Sequence, residues 1–156
     1  MDKVRRVISV IVANEAQVLA RVSGLFAGRG YNIDSLTVAP IPDTELSHMT
    51  IVTRGNQRVI EQIVKQLHKL IPTFKVIEHE QMVEKEMVLI KFPIEAPISE
   101  IQALCQAYNG GIVNAGSDMF IAMAADESGR IAHLIEAVKR YHPTEIVRSG
   151  VVAMER

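Results

Sequence analysis

The chain has 156 residues, 48% of them hydrophobic and 22% charged, with a formal net charge of −1. That composition describes an ordinary globular protein of one or two small domains, and the near-neutral balance excludes a global basic field for nucleic acid or anionic lipid. Cys105 is the single cysteine, which excludes an intrachain disulfide and fits a reducing compartment.

MDKVRRVISVIVA mimics a secretion signal in outline. Its apolar run is too short, however, and gives way to Asn14-Glu15 instead of a small-residue cleavage site. No stretch approaches the ~20 apolar residues that span a bilayer, so a cytoplasmic protein is expected. The β-branched run Val7–Val12 predicts a strand. Asn14 stands where an N-cap belongs, before Val18, Leu19, Val22, Leu25 and Phe26 at helical spacing. Arg29 falls in the expected last turn, and Gly30 suits the left-handed position after it. A second strand starts at Tyr31-Asn32-Ile33 and runs to Val38. The proline-punctuated loop Ala39–Asp43 then leads into a strand at Ser47–Thr53, making a long-looped hairpin. Gly55-Asn56 ends that strand and caps a helix built on Val59, Ile60, Ile63, Val64, Leu67 and Leu70. Pro72 stops this helix, and Phe74–His79 supplies a fourth strand. The order is β-α-β-β-α-β, with right-handed crossovers that put both helices on one face of an antiparallel sheet.

From Glu84 the order repeats. Met87–Phe92 is a strand, and Pro97 fits the first turn of a helix carrying Ile98, Ile101, Leu104, Cys105 and Tyr108. Asn109-Gly110-Gly111 ends it. Ile112–Ala115 and Met119–Ala124 flank the turn Gly116-Ser117-Asp118. Asp126 is expected to cap a helix carrying Ile131, Leu134, Ile135 and Val138, which Pro143 terminates, and Ile146–Met154 is the last strand. Met87, Met119, Met123 and Met154 read as core gap-fillers, and Cys105 as core. The expected fold is therefore α+β: two tandem ferredoxin-like βαββαβ domains over residues 1–80 and 81–156, joined around Gln81–Glu84.

Chemistry concentrates at one place. A strand that stops in a polar turn and opens a helix leaves backbone N–H groups pointing outward, a seat for a carboxylate, with Asn14 at its edge. Asn32, opening the next strand, could supply an amide to the same ligand. Otherwise Asn14 is simply an N-cap and Asn32 a turn residue. Elsewhere the signals are negative. His48, His68, His79, His133 and His142 have no metal-ligand spacing with one another or with Cys105. Gly28-Arg29-Gly30 and Gly110-Gly111 end helices and so cradle no phosphate. Glu78, Glu80, Glu84 and Glu86, with Lys75 and Lys85, read as a solvated strand-and-linker surface, not as paired catalytic carboxylates. No Ser-His-Asp or Cys-His set can be assembled from the sequence.

The stretch VISVIVANEAQVLARVSGLFAGRGYNIDSLTVAP, followed by LSHMTIVT, resembles the start of the small regulatory subunits of acetolactate (acetohydroxyacid) synthase, and IVRSGVV near the other end resembles them again. The resemblance implies an N-terminal ACT domain, a module that binds small molecules, and a non-catalytic regulatory chain. It implies a homodimer of ACT domains paired edge to edge, with valine or another branched-chain amino acid at the junction. Asn14, Ala16, Gln17 and Val18 of one subunit would hold the ligand's carboxylate, and Asn32-Ile33 of the second would complete the site. The implied partner is the catalytic large subunit, which uses thiamine diphosphate, Mg and FAD; the small subunit raises its activity and transmits feedback inhibition. No cofactor is expected on this chain, and neither nucleic acid nor membrane is an expected partner.

One position departs from the family, which usually has glycine where this chain has Gln17. Two readings stay open. Asn14 and Gln17 could form a capping box that crowds the anion seat and weakens valine binding while activation survives. Alternatively, Gln17 points to solvent and the site works normally. Other function classes also compete. A stand-alone amino-acid sensor for a different enzyme, or a small enzyme of ferredoxin-like fold, shares the topology. A single-stranded RNA binder would need sheet aromatics, and SHMTIVT has none.

Overall fold

The computed structural model describes residues 4–70, 73–78 and 82–156. The elements run β1 (Val4–Ala13), α1 (Ala16–Gly28), β2 (Ile33–Pro40), β3 (Leu46–Gly55), α2 (Gln57–Lys69) and β4 (Thr73–Glu78). They continue with β5 (Met82–Pro93), α3 (Ile98–Gln106), β6 (Gly111–Ala115), β7 (Met119–Asp126), α4 (Ser128–Val138) and β8 (Glu145–Glu155). Two antiparallel sheets repeat one strand order, β2-β3-β1-β4 and β6-β7-β5-β8, so the chain is two ferredoxin-like βαββαβ modules in tandem. By contacts it divides into two compact units, one of Met1–Val83 with Val151–Arg156 and one of Glu84–Gly150. Pro72, His79 and Gln81 lie outside the described residues. Glu84, expected in a linker, is already inside β5.

In the first unit, alternation along β1 turns Ile8, Val10 and Val12 to one face, opposite Ile51 and Met49 of β3. That face meets Val18, Val22 and Phe26 of α1 and Ile60, Ile63 and Leu67 of α2 in one buried cluster. Steps of four residues in α1, and of three and four in α2, give both helices a narrow stripe, and both lie on the same side of the sheet. Leu19, expected in this core, is instead 41% exposed. On the other face Val7 and Val52 pack with Val151 and Ala153, and the Val151 N–H donates to Ser35 Oγ at 3.2 Å.

The start of α2 and the end of α1 follow local chemistry. Asn56 caps α2 by accepting the Val59 N–H at 2.9 Å. At the end of α1, Tyr31 N–H donates to Phe26 O at 2.9 Å and Gly30 N–H to Ala27 O at 3.2 Å. Gly30 has φ +69°. The Tyr31 ring meets Phe26 edge-on at 6.3 Å, which completes a Schellman motif with its apolar clasp. Arg29 is therefore the C-cap residue, just past the last turn in which it was expected.

In the second unit Val88, Ile90 and Phe92 of β5 and Phe120, Ala122 and Ala124 of β7 face Ile101, Cys105, Ile131, Leu134 and Val138. Phe92 and Phe120 stack at 5.4 Å. Burial pushes the Cys105 thiol pKa up. Asn109 takes φ +58° at the end of α3, and Gly110 then passes so close to β7 that no side chain fits.

Four expectations are corrected here. Asp126 does not cap α4: it lies in β7, 3% exposed, while Glu127 holds the N-cap position. Its carboxylate accepts from Arg130 Nε at 2.7 Å and from the Glu127 N–H at 2.8 Å. Glu86 is not a solvated residue; it is 5% exposed and pairs with Arg148. Met87 and Met154 are not core, being 42% and 70% exposed on strands whose other face packs inward. Ile98 is likewise 40% exposed. In β8, Ser149 Oγ accepts the Met87 N–H at 2.9 Å and donates to Gly150 O at 2.8 Å, and Gly150 has φ +85°. A hydroxyl thus stands in for one rung of the ladder.

Candidate functional site

The turn from β1 into α1 is built by the hairpin beside it. Pairing of β1 with β3 continues through Ala13↔Leu46, and Asn14 is held by the same hairpin. Its N–H donates to Glu45 O at 2.9 Å, and its Oδ1 accepts from Ser47 Oγ at 3.0 Å. Asn14 is therefore a strand-end tie and not the helix cap. The N-cap position belongs to Glu15, in extended backbone at φ −123° and ψ 141°, whose side chain caps nothing. The capping box fails for the same reason: the Asn14 N–H that Gln17 would serve is already used, and Gln17 sits one position too early.

Ala16 and Gln17 open α1, so their N–H groups have no carbonyl in a preceding turn to bond, while Val18 N–H closes on Glu15 O at 3.2 Å. Ala16 and Val18 border a cavity of about 200 Å³ between the start of α1 and strands β1, β2 and β3. Its floor is apolar and buried: Val12, Val18 and Met49. Its rim carries Leu19 and Val38, 41% and 42% exposed. Ser47, Asn14 and Glu15 supply its polar side. The arrangement offers backbone donors at a helix N-terminus, a polar edge and an apolar pocket, the components a small amphipathic anion requires.

Of the residues singled out in the sequence, Asn14, Ala16 and Val18 line this cavity. Gln17 does not; it is exposed and its side chain makes no hydrogen bond among the described residues. Asn32 and Ile33 are also absent from the lining. They lie at the other end of β2 from Val38, roughly 15–20 Å along an extended strand. Asn32 is exposed, with its carbonyl accepting from Thr53 Oγ1 at 2.5 Å, and the Ile33 side chain packs against the first core. Glu15, Leu19, Val38, Ser47 and Met49 belong to the cavity without a sequence signal strong enough to mark them. Alternation from Val38 and Met49 toward the helix face is the one hint available.

Other chemistry is sparse. Ser9 Oγ and His48 Nε2 are hydrogen-bonded, a serine-histidine contact invisible in the sequence. Ser9 is only 3% exposed, and burial lowers the His48 pKa. The pair is thus a satisfied polar contact on the sheet face away from the helices. Among the described residues no group of three His, Cys, Asp or Glu side chains is placed to hold a metal, and no helix is long and apolar enough to cross a membrane.

Comparison with known proteins decides the family. Residues 8–75 match the AHAS small subunit-like ACT domain, and residues 85–156 match the small subunit of acetolactate synthase. The chain belongs to the acetolactate synthase small-subunit family. Within that family it is 42% identical to a probable acetolactate synthase small subunit of Archaeoglobus fulgidus, covering 97% of each chain. It is 40% identical to the acetolactate synthase isozyme 3 small subunit of Escherichia coli, covering 97% of this chain and 96% of that one. The crystal structure of the acetolactate synthase small subunit from Thermotoga maritima superposes with a TM-score of 0.87 at 33% identity, covering 98% of both chains. Family membership and the ACT domain support a regulatory role, and the cavity lies within the ACT domain.

Proposed function

We propose that this chain is a non-catalytic regulatory subunit that senses a branched-chain amino acid, valine in the first instance, in the cavity at the start of α1. It activates a thiamine-diphosphate-dependent catalytic subunit and carries feedback inhibition to it. The observation that supports this most directly is the cavity itself: the first residue of α1, Ala16, whose N–H has no acceptor in a preceding turn, beside an apolar floor of Val12, Val18 and Met49. The carboxylate would sit at the helix N-terminus, and the branched tail on the floor. A second copy of the chain, paired through the exposed edge of β2, would cover the rim residues Leu19 and Val38 and bring its own Asn32 to the ligand. Thiamine diphosphate, Mg and FAD belong to the catalytic partner, in a reducing cytoplasm.

Gln17 supports the reading in which the site works normally, because its side chain lies outside the cavity lining and reaches no partner among the described residues. The test is co-purification with the catalytic subunit, assayed with and without valine. Activation by the wild type and valine inhibition of the complex are expected, with Gln17→Gly inhibited at a valine concentration within about three-fold of wild type. A complex whose activity valine leaves untouched would refute the sensor reading. A Gln17→Gly variant inhibited at ten-fold lower valine would show that Gln17 obstructs the site.

A further inference from the structure

The two units treat the outer faces of their sheets differently. In the first unit the chain itself closes that face, because Val151, Ala153 and Met82 pack against Val7 and Val52. In the second unit the corresponding face is open. Val88, Ile90 and Phe92 turn to the helices, so alternation sends Met87, Leu89 and Lys91 outward, opposite Ala125, Met123 and Ile121 of β7. Met119, opposite Pro93, continues the row. Lys91 Nζ pairs with Glu145 at 3.1 Å, which sets the phase of β8 and puts Val147 on the same face. Met87, Leu89 and Val147 are exposed, and Met119, Ile121 and Met123 are half-buried.

From this we infer that the open face of the second unit is a contact between two copies of the chain, packed sheet on sheet about a two-fold axis. Charge argues for a like partner. Lys91 and Glu145 neutralise each other within the chain, so an acidic or basic partner finds no counter-charge there, while an identical neutral face meets no mismatch. Met87, Met119 and Met123 add flexible thioethers that can repack against their own copies. Area points the same way. Four strands, spaced about 4.8 Å apart and each roughly 20 Å long, make a face of about 400 Å². An apolar patch of that size on one chain marks a contact. Two such faces stacked about 10 Å apart bury on the order of 1,000 Å² of accessible surface, the floor for a specific interface. This contact is independent of pairing through β2, which belongs to the other sheet.

The experiment uses the full chain and two substitutions at Leu89, which stands opposite Met123 in the middle of the face. A bismaleimide of about 10 Å reach, matched to the spacing of stacked sheets, should link Leu89→Cys into covalent dimers. Glu136→Cys, exposed on α4, should stay unlinked, and buried Cys105 should not react in either. In Leu89→Glu, self-association measured by sedimentation equilibrium should weaken about ten-fold or more, since a carboxylate would be buried without a partner. Its melting temperature should stay within about 2 °C of wild type, because the side chain is open to water in the single chain. Should Leu89→Glu fail to fold, Val147→Glu at the exposed border carries the same expectation. Absence of cross-linking through Leu89→Cys overturns the inference, as does unchanged self-association of a folded glutamate variant. Unchanged self-association with lost activation of the catalytic subunit would assign the face to that subunit instead, and overturns it too.

Discussion

Gly110 offers a sharp test of the second unit's packing. A Cβ at this position would lie 1.8 Å from the Met123 carbonyl oxygen and 2.7 Å from both Met123 C and Ala124 Cα. Carbon contacts settle near 3.5 Å, so a gap of about 1.5 Å would have to open. All three atoms are backbone, and that backbone is pinned on both sides: Met123 and Ala124 pair with Leu89 and Val88, and Met123 also with Gly111. The α3 end cannot swing away cheaply either, because Gly110 N–H donates to Cys105 O at 2.9 Å. Overpacking of about 1–3 kcal/mol, plus one or two strained backbone hydrogen bonds at about 1 kcal/mol each, puts Gly110→Ala near 3–5 kcal/mol destabilising. At roughly 2–4 °C per kcal/mol for a chain of this length, its melting temperature by circular dichroism should fall by about 10 °C. Gly111→Ala is the comparison. Its Cβ would meet only the Gln102 side-chain amide at 3.0–3.3 Å, which can move, and about 1 kcal/mol is expected. Gly110→Ala melting within about 2 °C of wild type, by the same scale, would refute the steric account.

Gly24 gives the opposite sign: it is exposed inside α1 with nothing within 4 Å of where a Cβ would stand, so Gly24→Ala should stabilise by about 0.5–1 kcal/mol, read as a raised denaturation midpoint. The bond from Arg130, together with the Glu127 N–H, holds the Asp126 carboxyl below its usual range. Its stability contribution is present above the unfolded value near 4 and is lost as pH falls through the folded value. Asp126→Asn should cost about 1–2 kcal/mol at pH 7, the low end because Arg130 is half exposed, and should flatten acid denaturation below pH 4. Cys105 is fully buried and its thiol pKa is raised, so a thiol reagent should label it only on unfolding, at a rate that rises with denaturant. Fast labelling of native protein would contradict its placement in the core.

The strands and helices were legible because their hydrophobic periods are clean. Val18, Val22 and Phe26, and Ile60, Ile63 and Leu67, are each spaced for one face, and Gly30 and Asn56 mark helix ends with residues that have few other reasons to be there. The misreadings share one cause, which is that a local preference yields to a partner distant in sequence or to the strand it belongs to. Asn14 has the chemistry of an N-cap, but Glu45 and Ser47 of the neighbouring hairpin take its bonds. Asp126 precedes a helix as a cap should, yet Arg130 and the end of a buried strand claim it. Glu86 is acidic in an acidic stretch and still goes inside, because Arg148, 62 residues later, comes to meet it. The cavity shows the same limit. Its anion seat follows from one strand-turn-helix segment, whereas Val38, Ser47 and Met49 reach it only through strand pairing.

The hydroxyl that replaces a rung between β5 and β8 has a consequence for solubility. β8 is the outermost strand of its sheet, and an unbroken outer strand with side chains such as Val147, Val152 and Met154 pointing to water would invite a foreign chain to zip alongside. Ser149 turning inward and Gly150 in a left-handed twist interrupt that border midway, so an approaching strand finds two short, misaligned stubs instead of one straight template.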